Sequence, residues 1–345
     1  MIQPHETYMQ RCLDLASKGL GHVAPNPMVG SVIVHNGVII GEGYHMQYGG
    51  PHAEVNAIAS VTDEALLKHA TLYVNLEPCS HYGKTPPCAD LILTKQIPRV
   101  VIGSYDPNPK VAGKGIQRLK DAGVEVTTEV LKAESDFLNR RFLTYHTQHR
   151  PYVLLKWAQS TDSFMGLNEP KQLWLTNALS KKLSHKWRTE EQAIVVGRNT
   201  VTVDDSELTA RLWPGNNPLR IVIDRNLLLG LDKKIFNSQA DTLIINEQKE
   251  ETTGNLHYCK IDFATDVPAQ ILQLLYRRNI LSVIVEGGAQ TLQSFIAADL
   301  WDEARIFTTP HTLKNGIPAP VLSGKVIEET AIENDKLQVL LNNRV

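Results

Sequence analysis

The 345-residue chain reads as an α/β protein of two domains. Three observations lead there. The chain exceeds the about 250–300 residues at which one hydrophobic core stops growing. β-rich apolar runs alternate with segments of helical spacing in both halves. A polar stretch that ends in proline, Thr147-Gln148-His149-Arg150-Pro151, lies between the halves and places the domains at residues 1–147 and 151–345.

In the first half, residues 8–18 have helical spacing, with Tyr8, Cys12, Leu15 and Ala16 on one face. Residues 29–34 form a strand. His35-Asn36-Gly37 is a tight turn, so residues 38–45 return as the hairpin partner. A short helix over 52–61, a buried strand over 71–76 and a helix over 87–94 opened by Pro87 follow. Strand 99–103, helix 115–122, strand 124–128 and one helix over 133–146 complete the half. The second half has strands at 152–156, 193–197, 220–224, 242–246, 282–286 and 304–308. Its helices fall at 177–188, 267–278 and 289–298, and residues 337–345 read as a short tail.

Hydrophobic content of 42% and charged content of 21% are ordinary for a globular protein. A net charge of -2 and 6% aromatic residues lack the basic, aromatic bias of a nucleic-acid binder. His5, Glu6, Arg11, Asp14 and Lys18 interrupt the N-terminal stretch, and no window nears a membrane span, so the expected location is the cytoplasm. Four cysteines do not make a disulfide framework in a reducing compartment. Cys12 and Cys259 read as core positions. Cys79 and Cys88 sit among Pro, His, Lys and Thr, which points to metal.

His52, Cys79 and Cys88 offer three zinc ligands of suitable softness. Three protein ligands leave one position for water, and zinc lowers that water's pKa toward neutrality. Glu54, two residues past His52, is placed to move a proton between the water and a leaving amine. A structural zinc with a fourth ligand such as His81 stays open on the residues alone. So does a loop-capping role for Asn26.

The pattern resembles the His-x-Glu…Pro-Cys…Cys signature of zinc-dependent nucleobase deaminases. Those usually space their cysteines as Cys-x-x-Cys, whereas eight residues separate Cys79 from Cys88 here. The run from Leu76 to Cys88, together with Pro25-Asn26-Pro27-Met28-Val29-Gly30 and Asp106-Pro107-Asn108-Pro109, resembles the deaminase half of the bifunctional riboflavin-biosynthesis deaminase/reductases. That resemblance implies a cytidine-deaminase-like three-layer domain with Glu54 as catalytic residue and one zinc per chain. It further implies Asn26, His81, Lys84 and Asn108 as contacts to a phosphoribosylated diaminopyrimidinone.

The second half has no Gly-x-Gly-x-x-Gly and no phosphate-binding P-loop. Its best local signal is Val283-Ile284-Val285-Glu286-Gly287-Gly288-Ala289, a strand that turns through glycines into a helix. Taken alone, this is an anion cradle or a plain connection. Segments around Lys156, Trp174, residues 197–211, residues 220–224 and Glu286 are similar to the reductase half of the same enzymes, in the same order. The resemblance implies a dihydrofolate-reductase-like fold that binds NADPH through Ala158, Trp174, Thr200, Asp204 and the turn at Gly288. Lys156, Arg188, Leu208, Arg211 and Glu286 would then hold the substrate, with guanidinium forks suited to its phosphate. Without the resemblance, Arg188 and Arg211 read as solvated surface.

Three positions depart from the pattern. Ser163 stands where the family usually has glycine, Gln172 takes the place of a substrate-contacting serine, and Arg225 follows the strand at 220–224 where serine is frequent. We expect Arg225 to engage the 2′-phosphate of NADPH. A homo-oligomer, dimer or tetramer, is also implied. The competing expectations are a second domain that only scaffolds, or one that binds RNA.

Overall fold

The computed structural model describes residues 4–80, 86–108, 111–169 and 171–344. It divides into two compact units, Met1–His149 and Arg150–Val345. His81 and Lys84 lie outside the described residues.

The first unit runs α1 (Pro4–Ser17), β1 (Gly30–His35), β2 (Val38–Tyr44), α2 (Ala53–Ala59), β3 (Thr71–Leu76), α3 (Cys88–Thr94), β4 (Arg99–Ser104), α4 (Lys114–Asp121), β5 (Glu125–Thr127), α5 (Lys132–Leu138) and α6 (Arg140–Gln148). Its sheet has the order β2-β1-β3-β4-β5. β1 is antiparallel to both neighbours, and β3, β4 and β5 are parallel. Side chains alternate across the strands, so the sheet carries two apolar faces. Val32, Val34, Tyr73 and Val101 pack with Met9, Cys12 and Leu15 of α1. Ile33, Leu72, Val74, Val100 and Ile102 pack with α2, α3 and α4 through Ile58, Ile92 and Leu119. The result is three layers with Cys12 buried as expected; Cys259, in the second unit, is buried likewise.

The single helix expected over 133–146 is instead two, separated at Asn139. The Asn139 side chain turns inward, its Oδ1 accepting from Met28 N at 2.8 Å and its Nδ2 donating to Met28 O at 2.9 Å. Both bonds serve backbone groups of the 20–30 loop, which contains the cis Ala24–Pro25 bond.

The second unit runs β6 (Tyr152–Ser160), β7 (Phe164–Gly166), α7 (Ala178–Glu190), β8 (Ala193–Gly197), α8 (Arg198–Asp204), β9 (Leu219–Ile223), β10 (Thr242–Asn246), β11 (Glu251–Thr253), β12 (Leu256–Lys260), α9 (Val267–Arg277), β13 (Ser282–Gly287), α10 (Ala289–Ala297), β14 (Glu303–Thr309), β15 (Ile317–Pro318), β16 (Lys325–Ile332) and β17 (Asp335–Leu341). Ten strands form one sheet, ordered β11-β12-β10-β9-β8-β13-β6-β14-β17-β16. From β12 to β14 all neighbours are parallel. Near-continuous apolar runs such as Ala193-Ile194-Val195-Val196 bury both faces, as a parallel sheet covered by helices requires. The expected tail at 337–345 is mostly β17, which inserts between β14 and β16 and buries Leu337, Val339 and Leu341.

Candidate active sites

The first site gathers where β3 ends and α2 and α3 begin. His52 is the N-cap of α2 and Cys88 the first residue of α3. Cys79 lies in the turn after β3. Helix starts leave N–H groups without partners, and here Cys88 N donates to Cys79 Sγ at 3.3 Å and Ala89 N to Cys79 O at 3.1 Å. The side-chain hydrogen bond with the Cys88 thiol, opposed by burial and joined by the bond from His52, holds the Cys79 thiol far below its ordinary range.

His52 Nδ1 stands 3.6 Å from Cys79 Sγ and 3.3 Å from Cys88 Sγ, and the three donors form one cluster. A tetrahedral zinc ion, with Zn–S near 2.3 Å and Zn–N near 2.0 Å, separates its nitrogen and sulfur donors by about 3.5 Å. The donor set therefore fits zinc in both chemistry and spacing. Glu54 is 3% exposed on the first turn of α2. Burial, reinforced by the charge of Cys79, pushes its carboxyl up to about 7.

Asn26 approaches this cluster through His45. Asn26 Nδ2 donates to His45 Nε2 at 3.0 Å. His45 Nδ1 donates to Pro51 O at 2.9 Å, which fixes a neutral tautomer, and burial lowers its pKa. The His45 ring meets the His52 ring edge-on at 5.7 Å. Sequence reasoning passed over His45 as the end of a hairpin. Its signal was a histidine that follows a strand and precedes the Pro51-His52 motif by six residues. Asn108 lies in the loop after β4, where its N–H donates to Asp106 Oδ1 at 2.8 Å.

In the second unit, a cavity of about 850 Å³ opens at the C-terminal ends of the parallel strands, the usual place for a ligand in such sheets. Lys156, Ala158, Gln172, Trp174, Arg188, Thr200, Asp204, Leu208, Arg211, Glu286 and Gly288 all line it. Arg188 clamps Glu286 with two bonds of 3.0 and 2.7 Å and also donates to Thr209 O at 3.1 Å. Lys156 Nζ is 4.0 Å from Glu286. Burial lowers the pKa of Lys156. Burial alone would raise that of Glu286, yet Arg188 and Lys156 outweigh it and hold the group at about 2. Arg188 is thus largely buried, which corrects its reading as solvated surface, whereas Arg211 is exposed and faces Glu207 at 3.6 Å.

Gly288 opens α10 at φ +63°, the left-handed region that glycine enters at little cost. A Cβ at Gly287 or Gly288 would lie 3.1 or 3.4 Å from Thr200 Oγ1. The turn is a backbone cradle that side chains would fill, and it fits a pyrophosphate group at a helix N-terminus. Gln172 Nε2 donates to Asp204 O at 3.3 Å, and Trp174 is exposed with Lys181 Nζ 3.9 Å from its ring centre. Burial raises the pKa of Asp204. Leu208 holds φ +59° while buried, a strained conformation for a branched residue. Ser163 is at φ +64°, which explains the glycine usual at that position. Arg225 is apart from the cavity-lining residues. It follows β9 at the same edge of the sheet, with Nε 2.7 Å from Glu247 Oε2 and its guanidinium 5.6 Å from the Phe263 ring centre.

Comparison with known proteins matches each unit separately. Residues 2–104 match the cytidine and deoxycytidylate deaminase zinc-binding region, and residues 151–340 match the RibD C-terminal domain. The riboflavin biosynthesis protein RibD of Aquifex aeolicus is 40% identical over 330 residues, covering 94% of this chain and 92% of that protein. The chain belongs to the RibD family. RibD of Escherichia coli is 36% identical over 326 residues, covering 89% of this chain and 88% of its own. The crystal structure of the Thermotoga maritima diaminohydroxyphosphoribosylaminopyrimidine deaminase/5-amino-6-(5-phosphoribosylamino)uracil reductase matches with a TM-score of 0.90 at 37% identity, over 98% of this chain and 99% of that one. Acinetobacter baumannii RibD matches with a TM-score of 0.89 at 32% identity, over 98% of each chain. As a RibD, the chain is a bifunctional deaminase/reductase of riboflavin biosynthesis, with a cytidine-deaminase-like and a dihydrofolate-reductase-like domain. A second domain that only scaffolds is not favoured. No helix among the described residues is long and apolar enough to cross a membrane.

Proposed function

We propose that residues 1–147 deaminate 2,5-diamino-6-(5-phosphoribosylamino)pyrimidin-4-one and that residues 151–345 reduce the ribosyl group of the product to ribityl with NADPH. The observation that carries the reading is the pairing, on one chain, of a three-donor cluster beside a buried acid with a cavity at the ends of a parallel sheet that holds Lys156, Arg188 and Glu286. The substrate named for the Thermotoga maritima protein supplies its chemical identity.

One zinc ion per chain, held by His52, Cys79 and Cys88, would supply Lewis-acid activation of water. Glu54 takes one proton of the attacking water and delivers it to the ring nitrogen, then takes the second from the hydroxyl of the resulting tetrahedral carbon and passes it to the amine, which leaves as ammonia while the carbonyl forms. Burial of Glu54 favours the protonated carboxyl, which supports its holding the proton between the two transfers. Asn26, His81, Lys84 and Asn108 orient the pyrimidine and its ribose phosphate. In the second site NADPH supplies hydride to C1 of the ribosyl group. Ala158, Trp174, Thr200, Asp204 and Gly288 hold it, and Arg225 reaches its 2′-phosphate. Lys156, Gln172, Arg188, Leu208, Arg211 and Glu286 hold the substrate, with the arginines toward its phosphate.

The chain acts on small molecules in the cytoplasm and not on nucleic acid, a reading supported by its net charge of -2. It assembles as a homo-oligomer, a reading supported by exposed Val321, Val326 and Ile327 on and beside the edge strand β16. Chelation tests the functional division. Removing zinc should abolish ammonia release while NADPH oxidation with the deaminated substrate continues. NADPH should raise the melting temperature of the second unit, and the lack of any shift would contradict the reductase assignment.

A further inference from the structure

Glu77, two residues before Cys79, carries a carboxylate that is 4% exposed and touches no cation among the described residues. Four backbone N–H groups take its charge. Oε1 accepts from Gly115 at 2.9 Å and Ile116 at 3.3 Å, and Oε2 accepts from Gly113 at 2.9 Å and Asp106 at 3.4 Å. The first N–H groups of a helix have no acceptor inside it. At α4 this shortage is met in full, because Lys114 N donates to Val111 O at 2.8 Å and Glu77 takes Gly113, Gly115 and Ile116. A buried anion is also favoured at a helix N-terminus by the peptide dipoles.

The same carboxylate thus grips both ends of the loop between β4 and α4. One end is Asp106, whose own carboxylate accepts from Asn108 N. The other is α4, whose Gly115 lies so close to the metal-ligand segment that a Cβ there would come within 2.0 Å of Pro78 O. Glu77 itself is tied to the sheet, its N–H donating to Ser104 O at 2.9 Å. The strand that leads to Cys79 and the loop that carries Asn108 are therefore joined through one side chain.

We infer that Glu77 is a positioning residue of the deaminase: it sets the distance between the metal-ligand turn at Cys79 and the substrate contact at Asn108. The inference rests on the proposed role of Asn108 and concerns substrate placement, not proton transfer. Glutamine keeps the size of the side chain but turns an N–H donor toward N–H donors, so the loop should shift while the zinc donors stay.

In the zinc-loaded full chain, Glu77→Gln should raise the KM for the phosphoribosylated diaminopyrimidinone about ten- to hundredfold and keep kcat within about threefold. Zinc content and the reductase kinetics with the deaminated substrate should be unchanged. Added to Asn108→Ala, the same substitution should cost less than about twofold more, because the contact it places is already gone. Lost zinc, a fall in kcat at constant KM, or a full effect in the Asn108→Ala background overturns the inference. A wild-type KM in Asn108→Ala alone overturns the role of Asn108 on which it rests. Should Glu77→Gln fail to fold, hydrogen exchange of the native chain decides. The amides of Gly113, Gly115 and Ile116 should exchange only on global opening of the unit, and exchange at loop-like rates overturns the inference.

Discussion

Replacing Arg188 with methionine removes the charge that clamps Glu286 and keeps most of the side-chain volume. Arg188 and Glu286 are 12% and 7% exposed, so solvent does little to screen the loss. Glu286 titrates at about 2 against an ordinary 4.5. At about 1.4 kcal/mol per pKa unit, that difference corresponds to about 3 kcal/mol of folding stability at neutral pH. Breaking a buried ion pair by removing one partner costs about 3–5 kcal/mol, which agrees. Lys156, at 4.0 Å, remains as a partial counter-charge, so the lower end applies. Because the folded-state pKa is depressed, this stability is present above the unfolded value and is lost as pH falls from about 5 toward 2. All five tryptophans, Trp157, Trp174, Trp187, Trp213 and Trp301, lie in the second unit. Urea unfolding followed by tryptophan fluorescence therefore reports that unit alone. Arg188→Met should destabilise it by about 3 kcal/mol at pH 7 and by progressively less below pH 5. A loss under about 1 kcal/mol at pH 7, or one that grows in acid, would refute the reasoning.

Other perturbations separate the two sites. Glu54→Gln should lower the kcat for ammonia release about 10²–10⁴-fold with zinc content and reductase activity intact, and an undiminished rate would remove Glu54 from proton transfer. Ser163→Gly should relieve a left-handed backbone and raise the unfolding free energy of the second unit in urea by up to about 1 kcal/mol, whereas a lower unfolding free energy would show that the serine carries a compensating contact. Arg225→Ala should reduce the ratio of kcat/KM for NADPH over NADH. An unchanged ratio would leave the arginine only its contacts with Glu247 and the Phe263 ring.

The parts of this chain that were legible in its sequence are those set by local rules. His52 and Cys88 open helices and Cys79 follows a strand in its closing turn, so their spacing encodes a metal site directly. Asn36-Gly37 marked the β1–β2 hairpin, and unbroken apolar runs marked the central strands of the second unit. Features that depend on distant partners were not legible. Asn139 looked like any polar residue within a helical pattern, and only its two bonds to Met28, 111 residues away, show why the helix breaks there. His45 became a site residue through contacts with Asn26 and His52. β17 was hidden because residues 337–345 gave no sign that β14 and β16 would flank it. Ser163, Gln172 and Arg225 proved unlike one another. The first is explained by its backbone angle, the second lines the cavity, and the third stands outside it.

The central claim is that two consecutive reactions share this chain, the deamination first. The direct test supplies phosphoribosylated diaminopyrimidinone to the zinc-loaded protein with and without NADPH, and follows ammonia and cofactor absorbance together. Ammonia should appear at the same rate in both samples, and NADPH oxidation should begin only after a lag that prior deamination of the substrate abolishes. Ammonia release that requires NADPH, or oxidation that precedes it, would contradict the account.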